Sequence, residues 1–270
     1  MNRFVLAVVV QSALVATLSA QDVDALAGKR VVFLGDSITQ AGGSSGLSEE
    51  GHAGGKFPRP CLFERLGRLL EKAKPEIVVA CYGMNDGIYL PLDKERFAAF
   101  QKGVTKLIEQ CKEAGVKRVV LVTPPIYDFS PKKDEFNYDV VLIEYAKWEL
   151  ALMTPGVSVI DLHSAMRKAR DGRATPFSGD KVHPGDDGQL LIATTILAAL
   201  GVKTADDSLA TIKGDQLFQL VEQKRQMRSA AWMKHIGYTR EKTVKPEPLG
   251  TVEADAAKVQ EKIDALRRKK

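Results

Sequence analysis

The feature that most constrains the fold is the recurrence of four short apolar runs that alternate with helical patterns. The runs are rich in valine and isoleucine and cover residues 31–35, 77–82, 118–123 and 157–161. They lack a strict apolar–polar alternation, which is typical of parallel strands that are buried on both faces. Apolar residues at helical spacing lie between or after them, at 60–73, 93–114, 138–153 and 186–200. This alternation predicts an α/β fold, a three-layer α/β/α sandwich on a parallel sheet with right-handed crossovers.

The first apolar run ends at the tripeptide Gly35-Asp36-Ser37. Such a strand end can hold a nucleophile, because the strand fixes the backbone and the serine hydroxyl projects at the carboxyl edge of the sheet. The same residues also fit a strand followed by an ordinary helix cap, since Asp and Ser are favoured N-cap residues. The motif alone leaves both interpretations open.

Two further motifs contain the side chains that a nucleophilic serine needs. His183 lies in a loop before the helical pattern at 186–200, three residues after Asp180, so one turn can bring the carboxylate to the imidazole. Asn85 follows the second apolar run, where its side chain can donate a hydrogen bond to an oxyanion. Each motif by itself also fits a plain surface turn, because Asn, Asp and Gly are common turn residues.

The order of these motifs along the chain resembles that of the SGNH hydrolase superfamily, also called GDSL esterases and lipases. Gly-Asp-Ser, Gly-x-Asn-Asp and Asp-x-x-His-Pro follow one another, and the resemblance covers about residues 29–201. The segments GHAGGKFPRP and CYGMNDGIYLPLD also resemble secreted bacterial members from planctomycete-like genomes. The resemblance implies a flavodoxin-like sandwich and ester hydrolysis without a metal or other cofactor.

The resemblance also implies a role for each motif residue. Ser37 is the expected nucleophile, His183 the general base, and Asp180 the residue that orients the base. The Ser37 backbone N–H and the Asn85 side chain are the expected donors of the oxyanion hole, and Asp36 is expected to be structural. The expected function is hydrolysis of a carboxylic ester through an acyl-enzyme on Ser37, with a carbohydrate O-acetyl group as a candidate substrate.

The chain departs from the family pattern directly after Ser37. The family places a second strand there, but residues 38–55 contain no apolar run long enough for a buried strand. We therefore predict a sheet of about four strands with residues 31–35 at an edge. A natural loss of the strand and a deletion in the gene at Gly43-Ser44 both fit this pattern.

The missing segment also affects the oxyanion hole, because in the family a glycine after the second strand donates its N–H there. Gly42, Gly43 or Gly46 can take this place, and the sequence does not distinguish among them. The alternative function is therefore a binding protein on an SGNH scaffold, weakened in catalysis by an incomplete oxyanion hole.

The two ends of the chain differ from the domain that we predict over residues 29–202. Residues 1–20 have a basic start and an apolar stretch that ends in small residues, which predicts a signal peptide and export to the periplasm or the outside of the cell. The expected contact with a membrane is limited to an uncleaved signal. Residues 203–270 lack a strand pattern and predict a basic, helical C-terminal extension with helices over 206–235 and 251–268.

Charge and cysteine content narrow the possible partners. The net charge is +5 and much of the basic excess lies at residues 267–270, without a basic patch interleaved with aromatic residues, so nucleic-acid binding is not expected. Three cysteines give no disulfide framework, and no Cys/His spacing predicts a metal site. Cys81 and Cys111 are expected to be buried apolar residues. The expected partner is a small-molecule or carbohydrate ester.

Overall fold

The computed structural model of the protein describes most of the two predicted domains. The described residues are 26, 28–41, 62–128, 135–202, 208–238 and 244–269. The predicted signal peptide and the three candidate glycines of the oxyanion hole lie outside them.

A parallel sheet of four strands forms the centre of the described structure. Its strands are β1 Val31–Gly35, β2 Ile77–Cys81, β3 Arg118–Val122 and β4 Val157–Ile160. They lie in the order β1-β2-β3-β4, and each pairs in parallel with the next. Every strand coincides with one of the apolar runs, so the predicted four-stranded parallel sheet is confirmed, with β1 at an edge of the sheet as described.

Helices flank the sheet and connect its strands. Their bounds are α1 Ser37–Ala41, α2 Leu66–Ala73, α3 Lys94–Glu113, α4 Asp139–Leu150, α5 Leu162–Arg170 and α6 Asp186–Ala199. A 3₁₀ turn at Leu62–Glu64 precedes α2. The general right-handedness of parallel crossovers predicts that α2, α3 and α4 lie on one face of the sheet, and α5 packs on α6. The predicted α/β architecture with flanking helices is confirmed.

Aromatic stacking joins α3 to α4 next to the carboxyl edge of the sheet. The rings of Phe97 and Phe100 stack on Tyr145 with centroid separations of 5.0 and 4.5 Å. Phe100 and Tyr145 are fully buried, so these contacts lie inside the core. The backbone of Gly83, just beyond β2, lies against Tyr145. The α3–α4 pair thus supports the turn that follows β2.

Helix α5 is an element that the sequence patterns did not predict. It begins directly after β4, and the carboxylate of Asp161 caps it by accepting a hydrogen bond from the Ser164 amide at 2.9 Å. Leu162, His163 and Met166 are its buried residues. With two turns and so few buried positions, the helix is too short for its periodicity to stand out from the preceding strand.

The C-terminal extension is helical, and it packs against the domain. Its helices are α7 Leu209–Gly214, α8 Gln216–Ile236 and α9 Val252–Lys269. The continuous helix predicted over 206–235 is wrong, because Asp215 ends α7 and caps α8 by accepting from the Leu217 amide at 2.7 Å. Trp232 and Ile236 of α8 join the main core. Arg68 of α2 also donates two hydrogen bonds to the Ile236 carbonyl, at 3.0 and 2.5 Å.

Of the two described cysteines, one is buried as predicted and the other is buried only in part. Cys111 is fully buried in α3, and Cys81 is partly buried at the end of β2; both are free thiols. Burial raises the pKa of the Cys111 thiol to about 12, so the thiol stays protonated at neutral pH. Among the described helices, none combines the length and the apolar character that crossing a bilayer requires.

Candidate active site

Ser37 lies at the point where β1 ends and α1 begins. The last residue of β1, Gly35, pairs with Cys81, and a side chain on Gly35 would collide with Thr39. The carboxylate of Asp36 accepts a hydrogen bond from the Ile38 amide at 2.9 Å. Ser37 is the first residue of α1, so its N–H is one of the helix-start amides that have no partner within the helix. The strand end therefore holds the half-buried serine and also starts a helix, while the role of Ser37 as a nucleophile stays a prediction.

Two short hydrogen bonds join Ser37, His183 and Asp180 into a relay. Ser37 Oγ lies 2.7 Å from His183 Nε2, and His183 Nδ1 lies 2.6 Å from Asp180 Oδ2. A carboxylate on Nδ1 fixes the tautomer in which Nε2 can accept the serine proton. The structure thus brings the three predicted catalytic side chains together, in the geometry of a nucleophile beside an oriented base.

The Asp180 carboxylate also shapes the turn that carries His183. Its Oδ1 accepts hydrogen bonds from the amides of Val182 and His183 at 3.0 and 2.7 Å. The pKa of Asp180 is lowered to about 2: burial acts to raise it, but the His183 amide, the His183 ring and the Val182 amide outweigh that effect. Asp180 therefore remains a carboxylate at neutral pH and can stabilise a protonated imidazole.

The other described histidines make separate contacts. His163 is buried in α5, and its Nδ1 donates to the Pro124 carbonyl at 3.2 Å. His235 of α8 donates from Nδ1 to the Glu247 carbonyl at 2.9 Å. No group of three or more His, Cys, Asp or Glu that could hold a metal ion is found in the part of the chain that the structure describes.

A buried carboxylate that the sequence analysis missed, Asp128, holds the loop of residues 177–185, which we call the histidine loop. The Asp128 side chain is only 1% exposed. It accepts hydrogen bonds from the backbone amides of Phe177 and Ser178 and from Nε of Arg170, the last at 2.7 Å. Asp128 thereby joins the end of β3 to the start of the histidine loop and to α5.

Backbone hydrogen bonds close the histidine loop on itself and onto Asp128. The Asp128 amide donates to the Lys181 carbonyl at 2.8 Å, and the Gly185 amide donates to the Phe177 carbonyl at 2.8 Å. Lys181 has a φ of 74°, which is unfavourable for a residue with a side chain. These bonds therefore hold a strained loop in the conformation that points His183 at Ser37.

Asn85 lies in the turn that follows β2, at the same edge of the sheet as Ser37. β1 and β2 are neighbours and parallel, so their carboxyl ends meet at this edge. The hydroxyl of Tyr89 donates to Asn85 Oδ1 at 2.6 Å, which leaves the Nδ2 group as the donor end of the amide. The role of Asn85 as an oxyanion donor stays a prediction, as does the choice of a glycine to complete the hole.

The buried carboxyl group of Asp36 lies next to the nucleophile and has an unusual pKa. Burial raises that pKa to about 6, although the Ile38 amide and the charge of His183 partly lower it. The ordinary value for this group is 3.8. Asp36 is therefore a structural residue of the turn, where it accepts the hydrogen bond from the Ile38 amide. Its burial in the folded protein disfavours the ionised carboxylate.

We expect Asp36→Asn to stabilise the protein more at pH 7 than at pH 4. The folded protein binds more protons than the unfolded chain between the two pKa values, so the wild type loses stability as pH rises from about 4 to 6. Asparagine keeps the acceptor for the Ile38 amide and does not ionise. The gain in the free energy of unfolding over the wild type is therefore larger at pH 7 than at pH 4, by at most roughly 3 kcal/mol. Urea unfolding at both pH values measures it, and a difference that is independent of pH contradicts the prediction.

Comparison with known proteins gives a family match over about half of the chain. Residues 58–191 match the model of the GDSL-like Lipase/Acylhydrolase family, a segment that contains Asn85, Asp180 and His183 and begins downstream of Ser37. No curated protein matches the sequence significantly.

The solved structures that are similar to the chain include two kinds of enzyme. A catalytic mutant of an acetylxylan esterase from Geobacillus stearothermophilus has a TM-score of 0.46 and 20% identity, over 67% of this chain and 98% of its own. A gut microbial diltiazem-metabolizing enzyme has a TM-score of 0.44 and 18% identity, over 64% of this chain and 47% of its own.

The family match agrees with the family that the order of the motifs indicates. The similarity to planctomycete-like secreted members stays a prediction. Residues 58–191 therefore match a GDSL-like lipase/acylhydrolase (SGNH) family domain, and the activity of this family is that of an ester-acting hydrolase.

Proposed function

We propose that the protein is an exported serine esterase that cleaves carboxylic esters through an acyl-enzyme on Ser37. The observation that carries this proposal is the relay in which His183 bridges Ser37 Oγ, at 2.7 Å, and Asp180, at 2.6 Å. A serine hydroxyl is a weak nucleophile at neutral pH, and it needs a positioned base to attack an ester. The relay provides that base. The family match supports ester bonds as the bonds that the protein cleaves.

The first half of the proposed reaction forms the acyl-enzyme. Ser37 Oγ attacks the ester carbonyl carbon as His183 Nε2 takes the serine proton, and Asp180 stabilises the resulting imidazolium. The carbonyl oxygen becomes an oxyanion, to which the Ser37 N–H and Asn85 Nδ2 donate. The tetrahedral intermediate then breaks the bond to the alcohol oxygen, which leaves with the proton from His183.

The second half of the reaction releases the acid. Water attacks the acyl carbon and gives a proton to His183 Nε2, which forms a second tetrahedral oxyanion. Collapse of this intermediate breaks the bond to Ser37 Oγ, which recovers its proton from His183. Asp180 keeps its negative charge throughout, in agreement with its lowered pKa.

The exposure of the relay favours an ester with a large alcohol portion. The side chains of His183 and Asp180 are 44% and 56% exposed, so the leaving alcohol can depart past the described residues towards solvent. An acetyl group on a carbohydrate meets this requirement, and the export predicted from residues 1–20 would bring the protein to such substrates. We therefore propose short acyl esters of carbohydrates as the substrate class.

Hydrolysis of 4-nitrophenyl esters and of acetylated xylo-oligosaccharides tests this function. We expect turnover of the acetate, slower turnover of the octanoate, release of acetate from the oligosaccharide, and loss of all three after treatment with a fluorophosphonate. Turnover no faster than the buffer background would contradict the proposal. Binding of the acetylated oligosaccharide without turnover would instead support the alternative, a binding protein on this scaffold.

A further inference from the structure

We infer that Tyr89 is a positioning residue, whose hydroxyl sets the Asn85 side-chain amide so that its Nδ2 group serves the oxyanion. The inference rests on the proposed function and deepens it, because it names a residue on which the oxyanion hole depends. Its starting point is the hydrogen bond from Tyr89 to Asn85 Oδ1 at 2.6 Å.

The chemistry of the amide explains why such a partner matters. One end of an asparagine amide, the oxygen, only accepts hydrogen bonds, and the other end, the nitrogen, only donates them. An oxyanion needs a donor, so an Asn85 amide turned by 180° would present a repelling oxygen. The Tyr89 hydroxyl donates to Oδ1 and thereby favours the orientation in which Nδ2 is left for the oxyanion.

The backbone around Tyr89 is held in an unfavourable conformation that makes this contact possible. Ile88 and Tyr89 have φ values of 49° and 59°, two consecutive left-handed residues that carry side chains. The Ile88 amide donates to the Asn85 carbonyl at 3.1 Å, and the Leu90 amide donates to the Gly87 carbonyl at 3.2 Å. These turns fold the chain back, so that the tyrosine reaches the residue four positions before it. A strained backbone of this kind persists only where the surrounding contacts hold it in that conformation.

Neighbouring aromatic rings hold the Tyr89 ring in place. Tyr138 lies 5.1 Å and Tyr127 6.2 Å from it between ring centroids, both in tilted contacts. The Tyr138 hydroxyl donates to the Met84 carbonyl at 3.0 Å, so this ring is itself fixed to the Asn85 turn. Gly87 has no side chain, and a Cβ atom there would collide with the Tyr138 hydroxyl. The cluster therefore limits the movement of Tyr89 and of the hydrogen bond that it donates.

The test is Tyr89→Phe, which keeps the ring and removes the donor. We expect kcat for 4-nitrophenyl acetate to fall about tenfold with KM within about twofold, because orientation of one oxyanion donor acts on the transition state. The rate of covalent labelling by a fluorophosphonate should fall by a similar factor, since the phosphonyl oxygen uses the same donors. The control is Tyr145→Phe, which removes a hydroxyl from a buried tyrosine of α4 and should leave kcat unchanged.

A double-mutant cycle separates positioning from a general structural effect. In an Asn85→Ala background, Tyr89→Phe should cause no further loss of kcat, because the amide that it orients is gone. Equal losses in both backgrounds, or an unchanged kcat in Tyr89→Phe alone, would overturn the inference while wild-type turnover leaves the proposed function intact. Absence of turnover in the wild type would overturn the proposed function and this inference with it. Thermal unfolding of each variant confirms that the compared proteins are folded.

Discussion

Ser37→Ala and His183→Ala are each expected to lower kcat for a chromogenic acetate by roughly 10⁴- to 10⁶-fold. Alanine at either position removes one end of the 2.7 Å hydrogen bond that activates the serine. The nucleophile and the base act as one unit, so the double variant should be hardly slower than either single variant. Rate measurements with enzyme concentrations high enough to detect the residual activity provide the comparison.

Two control variants separate catalysis from folding in this experiment. Ser164→Ala changes an exposed serine in the first turn of α5, and His235→Ala changes a histidine of α8 that contacts Glu247. Both should retain wild-type kcat, and the four proteins should unfold at similar temperatures. A Ser37→Ala protein with wild-type turnover, after repurification, would show that another group is the nucleophile.

Asp128→Ala is expected to lower the free energy of unfolding by roughly 3–5 kcal/mol. The substitution leaves the Arg170 guanidinium and the amides of Phe177 and Ser178 without their shared buried acceptor. The loss is a large part of the stability of an ordinary domain, so kcat should fall as well when the histidine loop loosens. Urea unfolding followed by tryptophan fluorescence measures the change.

A milder variant and a matched control accompany this prediction. Asp128→Asn keeps one acceptor oxygen for the loop amides, so it should lose less stability and remain folded if the alanine variant does not. Glu135→Ala removes an exposed carboxylate that pairs with Lys181 of the same loop at 2.8 Å, and it should cost less than about 1 kcal/mol. Equal, small losses in the Asp128 variants and in Glu135→Ala would contradict the role assigned to Asp128.

The elements that could be predicted from the sequence are those that depend on local patterns. Buried parallel strands are short apolar runs, so all four were recognisable, and their carboxyl ends carry Ser37 and Asn85. Asp180 and His183 are three residues apart, so one turn accounts for their contact. The pairing of His183 with Ser37 spans 146 residues and was reached through the order of the family motifs rather than through local pattern.

The parts that could not be predicted depend on contacts between distant segments or on short elements. The Asp128 carboxylate accepts hydrogen bonds from amides that lie 49 and 50 residues away in the sequence. No sequence motif around Asp128 predicts that contact. An acidic residue shortly after the run at 118–123 was the available signal, since ligands gather at the carboxyl ends of strands. Tyr89 reaches Asn85 only through two left-handed residues, which side-chain patterns do not reveal.

Covalent labelling of the intact protein by a fluorophosphonate tests the central claim most directly. The reagent phosphonylates a serine that an adjacent base activates, so peptide mass spectrometry should find a single adduct on Ser37 in the wild type. The adduct should be absent from Ser37→Ala and strongly slowed in His183→Ala. An active protein that takes no label, or that takes it on a residue other than Ser37, would contradict the account.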